Sequence, residues 1–125
     1  MADGPSSSPS DDKKSGSCPS WEDLPLNRVT PFKSFRTFKG ENIKVLLLTL
    51  SPGHRGEKHK HGSEQISHIL KGKIKVRIGG ELRTVKAGDL VHIPRNQPHQ
   101  TEVLDEETVI LEIFSPAEYQ KVILE

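Results

Sequence analysis

Apolar residues between positions 43 and 114 occur in short runs that either alternate with polar residues or stop at turn residues. In 73–78 every second residue is apolar and the residues between are lysine or arginine, so one face of a strand would meet a core and the other would meet water. Gly79-Gly80 supplies two residues suited to the positive φ values of a type I′ turn, after which 81–86 would return antiparallel. This stretch therefore predicts a β-hairpin.

Strand signals recur on both sides of this hairpin. The run 43–50 is short, rich in branched side chains and followed at once by the turn residues Ser51-Pro52-Gly53, which favours a buried strand over a helix. Further strands are predicted at 90–93, 101–104 and 107–114. Short strands joined by tight turns predict an all-β fold, either an antiparallel sandwich or a small barrel.

Only the C-terminal end has a helical pattern. Ser115 can cap a helix, Pro116 suits the first helical position and Glu118 completes a capping box. Tyr119 and Val122 would then share one face. We therefore expect one short C-terminal helix.

Composition separates a tail from one domain. Residues 1–20 contain seven Ser, three Pro and two Gly, and such a segment cannot bury enough apolar surface to offset the entropy lost on ordering. We expect a disordered tail at 1–20 and a single folded domain at 21–125.

Charge and cysteine content exclude several classes of function. Eighteen basic and seventeen acidic residues give a net charge of +1, so no overall field favours nucleic acid or anionic lipid. The single cysteine excludes an internal disulfide framework and a CxxC zinc module. No apolar run is long enough for a transmembrane helix and no secretory pattern begins the sequence. We expect a cytoplasmic protein whose partner is a small molecule.

The candidate chemistry lies in two polar segments. In an extended chain His59 and His61 project from one face, and Gln65 keeps the same parity. The second segment, 88–99, ends at His99 after a proline-bounded bend. Three imidazoles and one amide oxygen would suit one divalent ion, either Mn, Fe, Ni, Co or Zn. The alternative is that these histidines are surface or core residues with no metal.

These segments resemble the paired motifs of the cupin superfamily, written Gly-x5-His-x-His-x3-Glu-x6-Gly and Gly-x5-Pro-x-Gly-x2-His-x3-Asn. The first motif corresponds here to Gly53, His59, His61, Gln65 and Gly72. The second corresponds to Gly88, Pro94, Asn96, His99 and Val103. The resemblance implies a small antiparallel jelly-roll β-barrel of the RmlC-like type, a monocupin, with a metal held by His59, His61, Gln65 and His99.

Three motif positions depart from the pattern. Asn96 replaces a glycine, which is tolerable because Asn also adopts the left-handed conformation, and Val103 replaces a peripheral asparagine. Gln65 replaces the usual glutamate, so the metal site would keep an additional positive charge. A metal there should be a stronger Lewis acid and should favour an anionic ligand.

A closer resemblance is to cupins of pectin breakdown, which open unsaturated uronates to the keto form. Glu112, Phe114 and Pro116 match those enzymes, whereas Glu118 stands where they have arginine and Ser67 where they have glutamine. Because Glu112 shares an apolar strand, its pKa should be raised. It is our candidate general acid or base; the alternative is a rim carboxylate paired with lysine.

The remaining histidines and charges have simpler interpretations. His68 and His92 should face away from the metal. His54 and Arg55 are expected to be solvated loop residues; the alternative is that they meet an anionic substrate. Three functions remain open: a metal-dependent isomerase, cyclase or lyase, a dioxygenase, and a non-catalytic module that binds a sugar or organic acid. Three phenylalanines within 29–38 exceed what one barrel rim needs, so we expect a homodimer.

Overall fold

The computed structural model describes residues 16–125, which form eleven β-strands and one turn of 3-10 helix at Trp21–Asp23. The strands are β1 (Asn27–Thr30), β2 (Lys33–Lys39), β3 (Lys44–Leu50), β4 (His59–His61), β5 (Glu64–Lys71), β6 (Lys73–Ile78), β7 (Glu81–Lys86), β8 (Leu90–Ile93), β9 (His99–Val103), β10 (Thr108–Ser115) and β11 (Lys121–Ile123). The predicted hairpin is present as β6 and β7, and the prediction of an all-β fold is confirmed.

The strands form two antiparallel sheets that face each other. The order is β1-β2-β3-β10-β5-β8 in the six-stranded sheet and β11-β4-β9-β6-β7 in the five-stranded sheet. The prediction of a closed barrel is wrong, because the sheets stay separate over the part of the chain that the structure describes. At the edge between β7 and β8, Val76, Val85 and Val91 lie between the sheets. Such packing holds strands about 10 Å apart, too far for a backbone ladder.

The core lies between the sheets and is built from the inward positions of alternating strands. Its main cluster is Leu48, Leu50, Ile69, Ile74, Val103 and Ile110, with Phe35 and Val85 packed against it. In β6 the lysine and arginine positions are more exposed than Ile74 and Val76 between them, as the alternation predicts. Val103, the position where the motif has asparagine, is 2% exposed and belongs to this core.

The predicted C-terminal helix is wrong. Residues 116–118 form bends and 119–120 have no regular structure. β11 then pairs with β4, with Lys121 opposite His61 and Ile123 opposite His59. Glu118 forms an ion pair with Lys39 instead of completing a capping box. A single helical turn would bury one narrow face, whereas β11 satisfies backbone groups along the free side of β4.

Turn conformations explain several motif positions. Asn96 has φ 63, as expected for an Asn that replaces glycine, and its N–H donates to the His61 carbonyl at 2.7 Å. Gly72 has φ 91, and a side chain there would collide with Thr108. In the β6–β7 turn only Gly79 has a positive φ, so the expectation that Gly80 shares it is wrong.

The predicted tail lies mostly outside the described residues. Residues 16–20 are exposed and belong to no strand, and the prediction for 1–15 concerns residues that the structure does not describe. Among the residues from 16 onward, no helix is long and apolar enough to cross a membrane.

Candidate metal centre

The three motif histidines meet between the sheets. His59 and His61 lie on β4, and His99 begins β9, where it pairs directly with His59. One ring nitrogen from each histidine lies within 4.8 Å of the others. His61 and His99 are buried and His59 is half-buried. These three histidines could hold a metal ion.

Backbone carbonyls orient the three rings in the same way. Each Nδ1 lies at hydrogen-bond distance from the carbonyl of a residue two positions away: His59 from Glu57 at 2.8 Å, His61 from Ser63 at 3.0 Å and His99 from Gln97 at 2.9 Å. A carbonyl can only accept, so these contacts favour the tautomer with the proton on Nδ1. That tautomer leaves each Nε2 free to bind a metal ion.

Gln65 turns its amide oxygen towards His61. The amide nitrogen donates to the Ser67 hydroxyl at 2.9 Å and to Glu112 Oε2 at 3.2 Å. The amide oxygen lies 3.0 Å from His61 Nε2. Ser67 therefore stands beneath Gln65 at the position where the uronate enzymes have glutamine.

His61 can adopt two tautomers in this cluster, and only the one with the proton on Nε2 satisfies every group without a cation. With the proton on Nε2, His61 donates to the Gln65 oxygen, and the Ser63 hydroxyl donates to Nδ1 at 2.9 Å. With the proton on Nδ1, the Nε2 lone pair faces the Gln65 oxygen. Two acceptors at 3.0 Å repel each other unless a cation lies beside both. The tautomer with the proton on Nδ1 is thus the one that fits a divalent metal ion, which the three histidines could hold.

Burial keeps the histidines in the form that metal binding requires. Removal from water lowers the pKa of His59 and His61 and lowers that of His99 to about 4. The carbonyl contacts of the rings oppose this effect, and Lys121 adds to it. The imidazoles are consequently neutral at physiological pH, with lone pairs available to a cation.

Glu112 lies beside this cluster on the inner face of β10. Burial raises its pKa to about 7, against the opposing effects of Lys33, the Ser67 hydroxyl and the other lysines of the cavity. The carboxyl accepts from Gln65 and forms no ion pair within residues 16–125. A carboxyl with this pKa can both accept and donate a proton near neutral pH.

The cluster opens into a cavity of about 610 Å³. Lys33, Lys44 and Lys121 line it together with His54 and Arg55. Arg55 is exposed and His54 is half-buried, so contact of these two loop residues with an anionic ligand stays a prediction. The lysines were missed because their approach depends on how the two sheets pack. The sequence held one indication of this position. Lys33 and Phe35 are two residues apart on β2, so their side chains point to the same face of the strand.

An aromatic wall closes one side of the cavity. Tyr119 stacks on Phe114 with ring centroids 5.4 Å apart and lies 5.2 Å from the ring of His61. Lys44 Nζ donates to the Tyr119 hydroxyl at 2.8 Å and lies 4.3 Å from that ring's centroid. Tyr119, which the helix prediction placed on a helical face, thus belongs to the cavity.

His68 and His92 stay away from the cluster. His92 Nε2 is exposed and lies at hydrogen-bond distance, 2.7 Å, from Glu64 Oε2. His68 pairs with Leu90 and Leu111, and its parity on β5 is opposite to that of Gln65. Both histidines therefore lie outside the candidate metal centre, in agreement with the alternation of the sequence.

The family of this chain follows from a direct match. Residues 46–114 match the Cupin domain family, Cupin_2. That range contains His59, His61, Gln65, His99 and Glu112. The chain therefore belongs to the cupin family.

Among individual proteins, this chain is a monocupin similar to KdgF. It is 31% identical over 77 residues to the pectin degradation protein KdgF of Dickeya dadantii, covering 61% of this chain and 70% of that protein. The solved structure of KdgF from Halomonas sp. superposes with a TM-score of 0.77 at 22% identity, over 83% of this chain and 96% of that one. Oxalate decarboxylase from Bacillus subtilis gives 0.76 at 23% identity, over 84% of this chain but 31% of that one. The two structural likenesses establish the fold.

Proposed function

We propose that this cupin binds one divalent metal ion through His59, His61, Gln65 and His99 and acts on a small polar or anionic metabolite, with Glu112 moving a proton. The reaction would be of the isomerase, cyclase or lyase type. The observation that carries the proposal is the convergence of three imidazole nitrogens and one amide oxygen beside a protonatable carboxyl. The bound ion would be Mn, Fe, Ni, Co or Zn.

In this proposal the metal ion, Gln65 and Glu112 have separate roles. The ion, when bound, supplies a Lewis acid that stabilises negative charge developing on a substrate oxygen. Gln65 contributes a neutral ligand, so the site keeps its positive charge for an anionic substrate. Its amide nitrogen also holds the Glu112 carboxyl in place at 3.2 Å.

Glu112 is the proton-transfer group in this scheme. It faces the cavity, and burial brings its pKa to about 7. Its carboxylate form can remove a proton from carbon or oxygen of a bound substrate, and the resulting acid can return that proton to a neighbouring atom. Such transfer at matched pKa contributes about 10²- to 10⁴-fold to a rate.

The relation to pectin degradation supports a sugar acid or a similar carboxylate as the substrate class. Recognition of the carboxylate must differ from that in the uronate enzymes, because Glu118 stands at their arginine position. Glu118 pairs with Lys39 and does not line the cavity. An anionic substrate would need other cationic side chains of this chain.

The proposal is tested by metal analysis together with a proton-exchange assay. After loading with each of the five metals, elemental analysis should find one ion per chain. NMR in deuterated water, with a panel of carbonyl and sugar acids, should detect exchange of a proton next to the carbonyl. Glu112→Gln should keep the metal and lose about 10²-fold or more of this exchange, whereas the control His92→Gln should keep both.

Two other functions give different outcomes in the same experiments. Exchange or turnover with Zn or Ni without oxygen would exclude the dioxygenase interpretation, which rests on three histidines with open positions for ferrous iron. Metal binding without exchange or turnover for any acid would favour a non-catalytic sugar or acid binder. Absence of stoichiometric metal after loading would overturn the proposal. The cytoplasmic location stays a prediction.

A further inference from the structure

We propose that Lys33 and Lys121 form an anion subsite in the cavity, so that the ligand of this protein carries a second anionic group besides the one at the histidine cluster. The proposal deepens the proposed function, on which it rests for the first of those groups. It assigns the ligand to the diacids, meaning small metabolites with two carboxylates or equivalent anions.

The two lysines reach the cavity from opposite sheets. Lys33 begins β2 and pairs with Leu50, and it has the parity of Phe35, which packs against the core. Lys121 begins β11 opposite His61. Both side chains line the same cavity of about 610 Å³ as the histidine cluster and Glu112. A ligand between the sheets would therefore meet a cationic group from each side.

Neither lysine is engaged elsewhere in the described part of the chain. Within residues 16–125 neither Lys33 nor Lys121 forms an ion pair or a side-chain hydrogen bond. Lys39 and Lys71, by contrast, pair with Glu118 and Glu107. Lys44 is held by the Tyr119 hydroxyl at 2.8 Å. Among the three lysines that line the cavity, Lys33 and Lys121 are therefore the two with ammonium groups free to bind a ligand.

The charge balance of the cavity favours an anion of more than one charge. The four cationic side chains among its lining residues are Lys33, Lys44, Arg55 and Lys121, against the two carboxyls Glu57 and Glu112. Burial lowers the pKa of Lys33 most, and the charge of Lys121 lowers it further. The carboxyls of Glu112 and Glu57 oppose this, each with a smaller effect than Lys121. The two ammonium groups therefore repel each other, and a carboxylate bound between them relieves that repulsion.

The size of the cavity suits such a ligand. A volume of about 610 Å³ lies in the range of pockets that enclose small metabolites. Lysine offers a compact charge on a flexible stem, which accommodates a carboxylate at a variable distance. The distal anion would then fix the orientation of the ligand while its other end meets the histidine cluster and Glu112.

The test uses two acids with the same six-carbon chain, 2-oxoadipate and 2-oxohexanoate, which differ only in the distal carboxylate. Titration calorimetry on the metal-loaded protein should show about tenfold or tighter binding of 2-oxoadipate. Lys33→Gln and Lys121→Gln should each remove most of that preference while leaving 2-oxohexanoate affinity within about twofold. Lys121→Arg should retain the preference, and Lys73→Gln, an exposed control on β6, should not change it.

The outcomes separate the subsite from the metal proposal. Equal binding of the two acids by the unaltered protein, or equal weakening of both acids by the lysine variants, would overturn the subsite. The same titrations on metal-free protein measure the lysine contribution alone. A preference for 2-oxoadipate that persists while no metal is ever retained would uphold the subsite and overturn the proposed function. Melting by circular dichroism checks that each variant is folded.

Discussion

The space between the two sheets has an apolar end, which is the main core cluster, and a polar end, which is the cavity with the histidine cluster. The two ends differ in chemistry although the same strands build them. On β10, β5 and β9 an apolar residue of the core and a polar residue of the cavity share the inner face, as in Ile110 and Glu112, Ile69 and Gln65, and Val103 and His99. One half of each strand thus contributes burial, and the other half presents functional groups. The strands that carry the site are therefore the same strands that the core packs together.

The buried polar side chains of the cavity need hydrogen-bond partners, which the apolar side chains of the core do not. Among the described residues, no buried side-chain nitrogen or oxygen lacks a hydrogen-bond partner. The partners come from nearby backbone and from cavity side chains such as Ser63 and Ser67. Changes at this end should therefore affect binding more than folding, whereas changes in the core should do the reverse.

The largest effect is expected from the core. Ile69 is completely buried, so Ile69→Ala should lower the free energy of unfolding by about 2–5 kcal/mol through lost burial and a cavity. Metal stoichiometry in the folded fraction should stay unchanged. Denaturant unfolding with elemental analysis measures both quantities. Leu90→Ala, at a side chain that is 67% exposed, is the control and should cost less than about 0.5 kcal/mol.

The second largest effect is expected when a side chain that binds the metal in our proposal is removed. His61→Ala should weaken metal binding by about 100-fold or more, since it removes a proposed ligand and not merely a group behind it. The metal-free variant should lose less unfolding free energy than Ile69→Ala. Competition with a chelating dye measures the affinity. Retention of full affinity by His61→Ala would show that the metal, if any, lies elsewhere.

A smaller effect on stability is expected at the aromatic wall of the cavity. Tyr119→Phe keeps the stacking on Phe114 but removes the acceptor for Lys44, held at 2.8 Å. The cost should be about 1 kcal/mol of unfolding free energy, with metal affinity changed by less than about threefold. Denaturant unfolding and chelator competition can compare the variant directly with the unaltered protein. A large loss of metal affinity would contradict this expectation and show that the Tyr119 hydroxyl contributes to metal binding.

The smallest effect on stability and on metal binding is expected from a substitution on the surface. Of the three phenylalanines that suggested a homodimer, Phe35 packs against the core, while Phe32 remains 47% exposed. The homodimer stays a prediction. Light scattering should give twice the chain mass, and Phe32→Ser should shift it towards the monomer while leaving metal content unchanged. A monomeric mass for the unaltered protein would contradict the expectation.

The sequence predicts those features that depend on neighbouring residues. The bounds of β6, β7 and β8 agree with 73–78, 81–86 and 90–93, because alternation and glycine-rich turns are local signals. The spacing of His59 and His61 also places both on one side of β4. Gln65 does not share that face, because it lies on β5 of the other sheet and meets His61 across the interior.

Features that depend on distant pairing were not predicted. The capping pattern from Ser115 is local, but β11 forms because β4 offers it a free edge some sixty residues earlier in the chain. The approach of Lys33 to Lys121 likewise requires two sheets to pack, and neither residue lies near the other in sequence. The non-local contacts of a sandwich are the part that periodicity does not specify.

The three carbonyl contacts that orient the imidazole rings have a practical consequence. Each links residues two positions apart, so the rings are aimed by their own strands and loops before any ion arrives. Exchange of one ion for another then needs no rearrangement of the backbone. Cobalt or nickel could be introduced as a spectroscopic reporter in folded protein, and the spectra could be compared across ions on an otherwise constant scaffold.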